Sequence, residues 1–519
     1  MARKGKIKIR TSGKIIILVL LGVLMFVGYK FGAPYILPQG DKQEDVSGLM
    51  ADGKKGGTEK TGKCIEIGVV TWGGYAGGQY FNGGFKDNPN SRFRSDYDIC
   101  VNFHVMDDFA ASRAAFKSGN MDLMWVTMDA FPTEAGNYGE PVKFLFQADW
   151  SRGGDAIVAK GNIKSVGDLT GKKIAVAPAT PSHTFLLWML DMAGLSFMDV
   201  EVVEVPSAID AAASFKAGKT DAAVVWSPDD ADCVSKVSGA KILVSTKQAT
   251  HIIADGFMVK QSVFKAKEDK LKKLVEGWLK GAAEINASED AKKKAAKILS
   301  DGFGADVDEK FALGAINNVR LTTYGDNLDF FGLNPSYTNV EGKSLYEKMS
   351  KVYGKLRLAS NVPNYDSVVV IPFIKSLNLK TVSGMGAEKK KVFDKATETE
   401  EKAAAVASKP VRVSFPTGSH TLGENARTII DIKFVEAAKA FPNARIRIEG
   451  NTDNTGSRST NVVLSEKRAQ SVVDYLVSAH GMDRNRFVAV GNGPDKPVCT
   501  EKNEACYARN RRTDFQILQ

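Results

Sequence analysis

The sequence predicts an α/β protein, and three observations support that prediction. Between residues 64 and 377, short apolar strands alternate with helical patterns. Residues 114–122 return in similar form at residues 213–221, which indicates two related lobes. Near the carboxyl end, an alternating strand at residues 445–449 leads through a Thr-Asp turn into a helix. We therefore expect a two-lobed central domain with mostly parallel sheets, followed by a smaller α/β domain.

The amino-terminal segment has the pattern of a membrane anchor. Residues 1–14 contain six Lys or Arg side chains and no acidic one, so they hold six of the ten net positive charges. Residues 15–29 are uninterruptedly apolar, and the apolar pattern continues past Lys30. A membrane span needs about 20 residues, and a lysine within it can extend its ammonium to the interface. We expect a transmembrane signal anchor at residues 15–37, with the basic tail in the cytoplasm. A cleaved signal peptide is the alternative.

Two polar segments predict linkers on either side of the central domain. Residues 38–63 consist largely of Gly, Lys, Asp, Glu, Ser and Thr, a composition typical of a flexible tether. Residues 378–409 are rich in Lys, Glu and Ala, and they predict a linker that is part helix and part coil. The central domain therefore covers residues 64–377, and the last domain covers residues 410–519.

The internal repeat and the strand pattern organise both domains. In each copy of the repeat a helix stops at a glycine, Gly119 or Gly218, and a strand follows an aspartate. The last domain is expected to begin with a strand at 411–415, and Thr421 and Glu424 form the pattern of a capping box for its first helix. The strands expected in the central domain are residues 65–71, 99–106, 123–127, 156–160, 173–177, 200–205, 222–226 and 252–259.

The most specific motif lies in the last domain. It consists of Gly450, Asn451, Thr452 and Asp453, then Asn461, Leu464, Ser465, Arg468 and Ala469, and finally Arg511 and Arg512. The pattern resembles the OmpA-like peptidoglycan-binding domain. That resemblance implies that Asp453 and Arg468 hold the diaminopimelate of the stem peptide, with Thr452, Asn461, Arg511 and Arg512 in support. Asn451 stands where the family usually has histidine. An ordinary salt bridge between Asp453 and Arg468 is the alternative.

Two short sequence segments in the central domain, residues 166–176 and 222–228, are less specific than the motif of the last domain. Together with the order of elements, they resemble the periplasmic solute-binding proteins of ABC importers, in the nitrate, sulfonate, taurine and thiamine-precursor group. The resemblance implies a two-lobed periplasmic-binding-protein fold of type II, with a second lobe at about residues 155–250. Its lobes close on a small ligand like a hinge.

The same resemblance implies where the solute is bound. The candidate ligand-binding residues are Thr71, Trp72, Gly73, Tyr75, Thr127, Asp129, Thr180, Ser182, His183, Trp226 and Asp229. The helix that begins near residues 178–184 offers free N–H groups to an anion or a polar head group. Several aspartates near predicted strand ends favour a cationic or amine-bearing ligand if they line the cleft. The sequence therefore does not decide between an anionic and a cationic ligand. Trp125 and Trp188 are expected in the core.

The five cysteines fit an oxidising compartment. The resemblance makes the strands that begin at Cys64 and Cys100 neighbours, so we expect a disulfide between them. A second disulfide is expected between Cys499 and Cys506, which leaves Cys233 unpaired. The five histidines show no metal spacing with these cysteines, and no metal or cofactor is expected.

No catalytic motif is present in the sequence, so we expect a binding protein rather than an enzyme, and no nucleic-acid partner. The predicted function is a periplasmic solute-binding protein, anchored by a single pass in the bacterial inner membrane and tethered to peptidoglycan. It would bind a small organic or ionic solute for ABC-type uptake, with a permease as partner, or for sensing. The alternative is an envelope-stress or structural scaffold that reuses the solute-binding fold. The chain also resembles flagellar stator B subunits, but more weakly, because residues 15–29 lack the intramembrane aspartate of those subunits.

Overall fold

The computed structural model of the protein describes residues 64–305, 307–416 and 418–518. The strands are β1 Ile65–Val69, β2 Val101–Val105, β3 Leu123–Thr127, β4 Val142–Ser151, β5 Asp155–Ala159, β6 Lys173–Val176, β7 Glu201–Glu204, β8 Ala222–Trp226, β9 Lys241–Ser245, β10 Ala254–Lys260, β11 Val319–Leu321, β12 Ala405–Val411, β13 Ile446–Asn451, β14 Phe487–Gly493 and β15 Thr513–Leu518. They form three sheets.

Helices connect most of these strands. The α-helices are Ala76–Asn82, Arg92–Tyr97, Phe109–Ser118, Pro181–Met192, Ala208–Lys216, Asp229–Lys236, Gln261–Ala287, Glu289–Phe303, Glu309–Asn317, Tyr324–Phe330, Gly342–Lys355, Tyr365–Val368, Ile371–Ser376, Glu398–Glu401, Glu424–Ile430, Glu436–Ala440, Arg458–His480 and Glu504–Asn510. Short 3-10 helices are Gly73–Tyr75, Phe131–Thr133, Val166–Leu169, Phe197–Asp199 and Arg484–Arg486, and Asp431–Val435 is a π-helix.

The central domain has two sheets, one in each lobe. The first has the order β11-β4-β10-β3-β1-β2, and the second has the order β7-β6-β8-β5-β9. In each lobe four strands run in the same direction, whereas β10 and β11 in the first lobe and β5 in the second run against them. By strand direction the sheets are mostly parallel, as predicted, although β10 and β5 pair antiparallel with both of their neighbours. The antiparallel strands β5 and β10 are those that begin just after the chain crosses from one lobe to the other.

The internal repeat is confirmed by the sheet order. The helices Phe109–Ser118 and Ala208–Lys216 lead into β3 and β8, which occupy equivalent places in the two sheets. The glycines at which these helices stop, Gly119 and Gly218, have φ angles of 84° and 73°. These left-handed conformations are the helix-ending geometry that favours glycine.

Three strands of the central domain were not predicted from the sequence: β4, β9 and β11. The omission of β4 has a clear physical reason, because nine of its ten residues are buried. A strand covered on both faces has no alternation of polar and apolar residues to reveal it. In the structure β4 lies between β11 and β10, and the chain crosses from its end into the second lobe.

The chain crosses between the lobes at residues 152–154 and 246–253. Hydrogen bonds join the two crossings: the hydroxyl oxygens of Ser151 and Thr246 lie 2.8 Å apart, and the Gly153 N–H donates to Thr246 Oγ1 at 2.7 Å. Ser151 also donates to the carboxylate of Asp155, at 2.7 Å. These bonds fix the end of β4 and the start of β5 to the chain that follows β9.

The carboxy-terminal domain is a four-stranded sheet of order β12-β15-β13-β14, against which the helix Arg458–His480 packs. Its first strand was predicted at 411–415 but begins at Ala405, within the predicted linker, because β12 pairs with β15 from Ala405 to Val411. The predicted capping box is also wrong. The first helix begins at Glu424 with Gly423 as its N-cap, and no side chain caps it.

The connection between the domains is packed rather than solvated. Leu379, Met385 and Phe393 are buried within it. The described residues form one compact unit. Lys409 Nζ lies 2.7 Å from Asp191 Oδ2 in the second lobe, and the His251 N–H donates to the Ala440 carbonyl at 3.1 Å.

The structure joins Cys64 to Cys100 and Cys499 to Cys506, with Cα–Cα distances of 4.5 and 5.3 Å. Cys233 is free and buried. No helix in the described part of the chain combines the length and the apolar character that a membrane crossing requires. The predicted anchor at residues 15–37 and the tether at residues 38–63 lie outside the described residues.

Gly450→Ala tests the close packing of β13 on the helix Arg458–His480. A Cβ at Gly450 would lie 2.1 Å from the Ser465 carbonyl oxygen, so strand and helix must separate. We expect the free energy of unfolding to fall by about 2 kcal/mol or more, measured by urea denaturation. Gly314→Ala is the control, since its Cβ meets nothing within 4 Å. Equal denaturation midpoints for Gly450→Ala and the wild type would contradict this packing.

Candidate functional site

The first candidate site surrounds the Thr-Asp turn after β13. Asp453 is buried, with 7% of its surface exposed. Its Oδ1 accepts the N–H of Thr455 at 3.0 Å and also the Thr455 hydroxyl. Its Oδ2 accepts from Arg511 Nη1 at 2.7 Å. Burial raises the pKa of Asp453, but the bonds from Thr455 and Arg511 outweigh it and hold that pKa below its ordinary value.

Arg468 faces the same turn but does not pair with Asp453 directly. Its Nε donates to the Ser419 carbonyl at 2.9 Å and its Nη2 to the Pro416 carbonyl at 3.3 Å. Its guanidinium lies 5.0 Å from the centre of the Phe415 ring. Burial lowers the pKa of Arg468, while the nearby charge of Asp453 raises it. The direct salt bridge of this site therefore joins Asp453 to Arg511, and Arg468 Nη1 has no acceptor among the described residues.

The other predicted residues of this site have distinct positions. Asn461 donates to the Thr455 carbonyl at 2.8 Å, so it supports the turn. The Thr452 N–H donates to Gly493 at 2.9 Å, which fastens the turn to β14. Arg512 lies away from Asp453, where it pairs with Asp514 at 2.9 Å. A buried carboxylate beside two guanidinium groups is thus held at a strand end, an arrangement able to bind a ligand that carries both an ammonium and a carboxylate.

The second candidate site is a small cavity between the lobes of the central domain. Its volume is about 20 Å³. Such a space is large enough for about one water molecule. The residues that line it are Val70, Trp72, Trp125, Asp155, Pro181, Trp226, Ile253 and Asp255. Trp125 from β3 and Trp226 from β8 meet there edge to face, with ring centres 6.4 Å apart. The lobes are therefore closed on this site.

Buried carboxylates surround this cavity. Asp255 accepts from the Tyr75 hydroxyl at 2.8 Å, and Asp149 accepts from Trp72 Nε1 at 3.3 Å. Asp129 accepts the N–H of Ala254 at 3.3 Å, and Asp155 accepts from Ser151. All four aspartates are at most 4% exposed. No Lys or Arg nitrogen of the described residues lies within 4.0 Å of any of them, so their charge is uncompensated.

The missing partners determine how these groups titrate. Burial raises the pKa of Asp129 and of Asp155 to about 7. Burial also raises the pKa of Asp255 well above its ordinary value, and the charge of Asp149 adds to that effect. The pKa of Asp149 is likewise raised by burial. The cavity is thus bordered by acids that lack the cation needed to stabilise their ionised form.

Only two of the predicted ligand-binding residues, Trp72 and Trp226, line this cavity. Tyr75 reaches it through its bond to Asp255. Asp129, Thr127, Ser182 and His183 are buried nearby or beneath, whereas Thr180 donates to the Ala177 carbonyl at 2.8 Å. Burial lowers the pKa of His183 to about 4. Thr71 is bound to Asp107, Gly73 packs against Ala315, and Asp229 is half-buried at a helix start.

Six of the residues that line the cavity were missed as ligand candidates, and three of these, Trp125, Asp155 and Asp255, carry an indole ring or a carboxylate. Trp125 was expected in the core. It is buried there, and it also lines the cavity. Asp155 was noted only as one of several acids near strand ends. Asp255 was not identified at all. Its signal in the sequence is an aspartate at the start of a strongly apolar strand, where a buried charge needs a functional or structural reason.

Comparison with known proteins divides the chain in the same way. Residues 414–511 match the OmpA family, and residues 139–291 match the NMT1/THI5-like family. The chain joins an NMT1/THI5-like domain to an OmpA domain. The carboxy-terminal match contains the Thr-Asp turn and the helix that carries Arg468. The match to the NMT1/THI5-like family begins shortly before β4 and ends within the helix Glu289–Phe303.

Curated relatives are similar to part of the chain. Outer membrane protein A of Bordetella avium is 36% identical over 126 residues, which are 24% of this chain and 64% of that protein. The peptidoglycan-associated lipoprotein of Rhizobium meliloti (strain 1021) is 37% identical over 101 residues, or 20% of this chain and 56% of that protein. The chain thus spans less than two thirds of the length of these relatives.

Solved structures are similar to the central domain in extent but distant in sequence. The aliphatic sulphonate binding protein SsuA from Escherichia coli has a TM-score of 0.47 and 16% identity, and the match covers 61% of this chain and 100% of that chain. The nitrate-binding protein NrtA from Synechocystis PCC 6803 has a TM-score of 0.41 and 13% identity, with 60% and 98% covered. These structures indicate what the fold of the central domain is similar to, and the expectation that the chain is not an enzyme stays a prediction.

Asp155→Asn tests whether the charge at the cavity is uncompensated. Because the pKa of Asp155 is about 7 in the folded chain against 3.8 for an ordinary aspartate, folding takes up a proton between these pH values. The free energy of unfolding therefore falls as pH rises through that window, by about 1.4 kcal/mol per pH unit. Asp155→Asn has no carboxyl group at this position to ionise, so its free energy of unfolding does not fall for this reason. We expect it to be more stable than the wild type at pH 8, by up to about 4 kcal/mol, and equally stable at pH 4.

The measurement is urea denaturation of both proteins across that pH range. Asp301→Asn is the matched control, because its side chain is 64% exposed on a surface helix. Its difference from the wild type should change little with pH. A difference between Asp155→Asn and the wild type that is equally independent of pH would contradict the raised pKa.

Proposed function

We propose that this protein is a solute-binding protein of the periplasm that is held at the inner membrane by its amino terminus and at the peptidoglycan by its OmpA domain. The central domain binds a small solute between its lobes, either for delivery to an ABC permease or as a sensor. The basic and apolar pattern of residues 1–37 supports the membrane attachment. The OmpA family match and the peptidoglycan-associated relatives support the attachment to the wall.

The observation that carries the proposal is the charge arrangement around Asp453. Its buried carboxylate lies at a strand end, with Arg511 bonded to it and Arg468 directed at the same turn. Diaminopimelate carries an ammonium and a carboxylate on one carbon. We infer that Asp453 accepts the ammonium while Arg468, whose Nη1 has no acceptor in the described residues, donates to the carboxylate. Asn461 and Thr452 keep the turn in place.

Asp453→Ala and Arg468→Ala test the attachment to the wall. Each removes one half of the charge pair that the ligand needs, so we expect the full-length protein to bind purified sacculi at least about tenfold more weakly. Binding is measured by co-sedimentation with sacculi at fixed salt. The matched controls are Asp495→Ala and Arg458→Ala, which break an exposed ion pair in the same domain. Unchanged sedimentation of both site variants would refute the assignment.

The membrane attachment has a separate test. If residues 15–37 remain as a span, the protein should stay in the membrane fraction after washes with high salt and with alkaline carbonate, because neither treatment removes a helix from the bilayer. Immunoblotting of the fractions and amino-terminal sequencing provide the measurement. A soluble periplasmic product that begins near residue 38 would show cleavage and contradict the anchor.

A scaffold that links membrane and wall is the second candidate function, and one observation favours it. The cavity of about 20 Å³ has no room for an organic solute while the lobes are closed. A domain that never opens would serve only as a spacer or as a surface for a protein partner. Thermal-shift titration separates the two functions, since a solute that binds the folded domain raises its melting temperature with concentration.

A further inference from the structure

The cavity between the lobes joins carboxylates to indole rings, and the two observations are independent. Asp155 and Asp255 line it from the two strands that follow the crossings, and Trp72, Trp125 and Trp226 line it from both lobes. We propose that the cleft binds a small organic cation with an ammonium or amidinium group. This inference rests on the proposed function of the central domain as a solute-binding domain, and it names the class of solute.

The carboxylates are available to such a ligand. Asp155 uses one oxygen to accept from Ser151, and Asp255 uses one to accept from the Tyr75 hydroxyl. The second oxygen of each carboxylate has no hydrogen-bond donor among the described residues. Both side chains are at least nine-tenths buried and line the cavity. These oxygens belong to side chains that line the cavity, where an N–H group of a cation can donate to them.

The indole rings point to the same kind of ligand. The faces of tryptophan rings attract organic cations, and three of these rings border a cavity with two carboxylates. Trp125 is 3% exposed, and its Nε1 has no hydrogen-bond partner in the described residues. The Nε1 of Trp226 is also without a partner there. These two N–H groups can donate to an acceptor atom elsewhere on the ligand.

The surrounding charges exclude an anion as the natural occupant. Arg113 is a basic side chain close to these rings, and its guanidinium lies 4.4 Å from the Trp125 ring centre. Its guanidinium is bonded to Glu134 at 2.8 and 2.9 Å and is therefore neutralised. Asp129 and Asp149 belong to the same buried acidic group, and their charge, where they are ionised, raises the pKa of Asp255 further. A sulfonate or nitrate would find no cation to hold it here, and each ionised aspartate would repel it.

A metal ion fits the arrangement less well than an organic cation. Among the described residues, the one group of three acidic, cysteine or histidine side chains close enough to share an ion consists of Cys64, Asp87 and Cys100. Two of those residues form a disulfide. The four cleft aspartates do not converge in this way. A ligand that spans them, with several N–H donors and an apolar body, matches both the carboxylates and the indoles.

Titration calorimetry with four probes that share a four-carbon chain tests the charge of the ligand. Butylammonium, butane-1-sulfonate and butan-1-ol share one alkyl chain and differ in charge, and 1,4-diaminobutane adds a second ammonium. The protein is the full-length chain, with tryptophan fluorescence as a second readout because the probe would contact three indoles. We expect saturable binding of the ammonium probes only. Their affinity should fall by up to about tenfold per pH unit below pH 7, as Asp155 takes up a proton.

Asp155→Asn and Asp255→Asn should each weaken binding of the ammonium probes by about tenfold or more, because each replaces a carboxylate by a neutral amide. Trp226→Leu should weaken binding while leaving the acids in place. Asp301→Asn, the exposed control, should bind as the wild type does. Circular dichroism melting curves identify any variant that does not fold, and Asp155→Asn is expected to be at least as stable as the wild type.

The outcomes separate this inference from the proposed function. Binding of butane-1-sulfonate in preference to butylammonium would overturn the cation assignment and leave the solute-binding function in place. Saturable binding of none of the probes would overturn both and favour the scaffold. Binding of ammonium probes that is equally strong in Asp155→Asn and Asp255→Asn would place the cation elsewhere and overturn the assignment to this cleft.

Discussion

The central domain depends on one constraint: the chain must cross twice between two sheets, and each crossing begins an antiparallel strand. Hydrogen bonds among Ser151, Gly153 and Thr246 join these crossings. As a result, Asp155 at the start of β5 and Asp255 near the start of β10 face one cavity, although they lie one hundred residues apart. The closing contact between the lobes, formed by Trp125 and Trp226, lies at the same place.

The two candidate sites shift the pKa of a buried carboxylate in opposite directions. Around Asp453, Thr455 and Arg511 supply the hydrogen bonds and the charge that keep the carboxylate ionised, so its pKa is low. Around Asp155 and Asp255 the protein supplies hydroxyl donors but no cation, so their pKa values are high. The carboxylate of Asp453 is stabilised by the protein itself, whether or not a ligand is bound. The carboxylates of Asp155 and Asp255 lack a positive partner, so a cationic ligand would stabilise their ionised form.

The OmpA domain also contacts the central domain near its hinge. Arg152 in the first crossing forms two bonds with Glu388 of the connection, at 2.7 and 3.0 Å. Lys409 reaches Asp191 in the second lobe, and His251 in the second crossing donates to Ala440. The OmpA domain is therefore attached to the part of the molecule that must move when the lobes open. Opening of the cleft breaks these contacts or carries the OmpA domain along.

The sequence by itself determined the α/β class, the two lobes and the Thr-Asp turn, because each rests on local patterns: helix stops at Gly119 and Gly218, apolar strands, and closely spaced motif residues. It did not reveal β4, because a strand buried on both faces shows no alternation. It named Asp453 and Arg468 as the two residues that hold the ligand, but it did not reveal that Asp453 bonds directly to Arg511, which the turn before β15 brings back to β13. The tertiary structure alone decided that Asp155 and Asp255 share a cavity without a basic partner, since burial and missing contacts are properties of the packed chain.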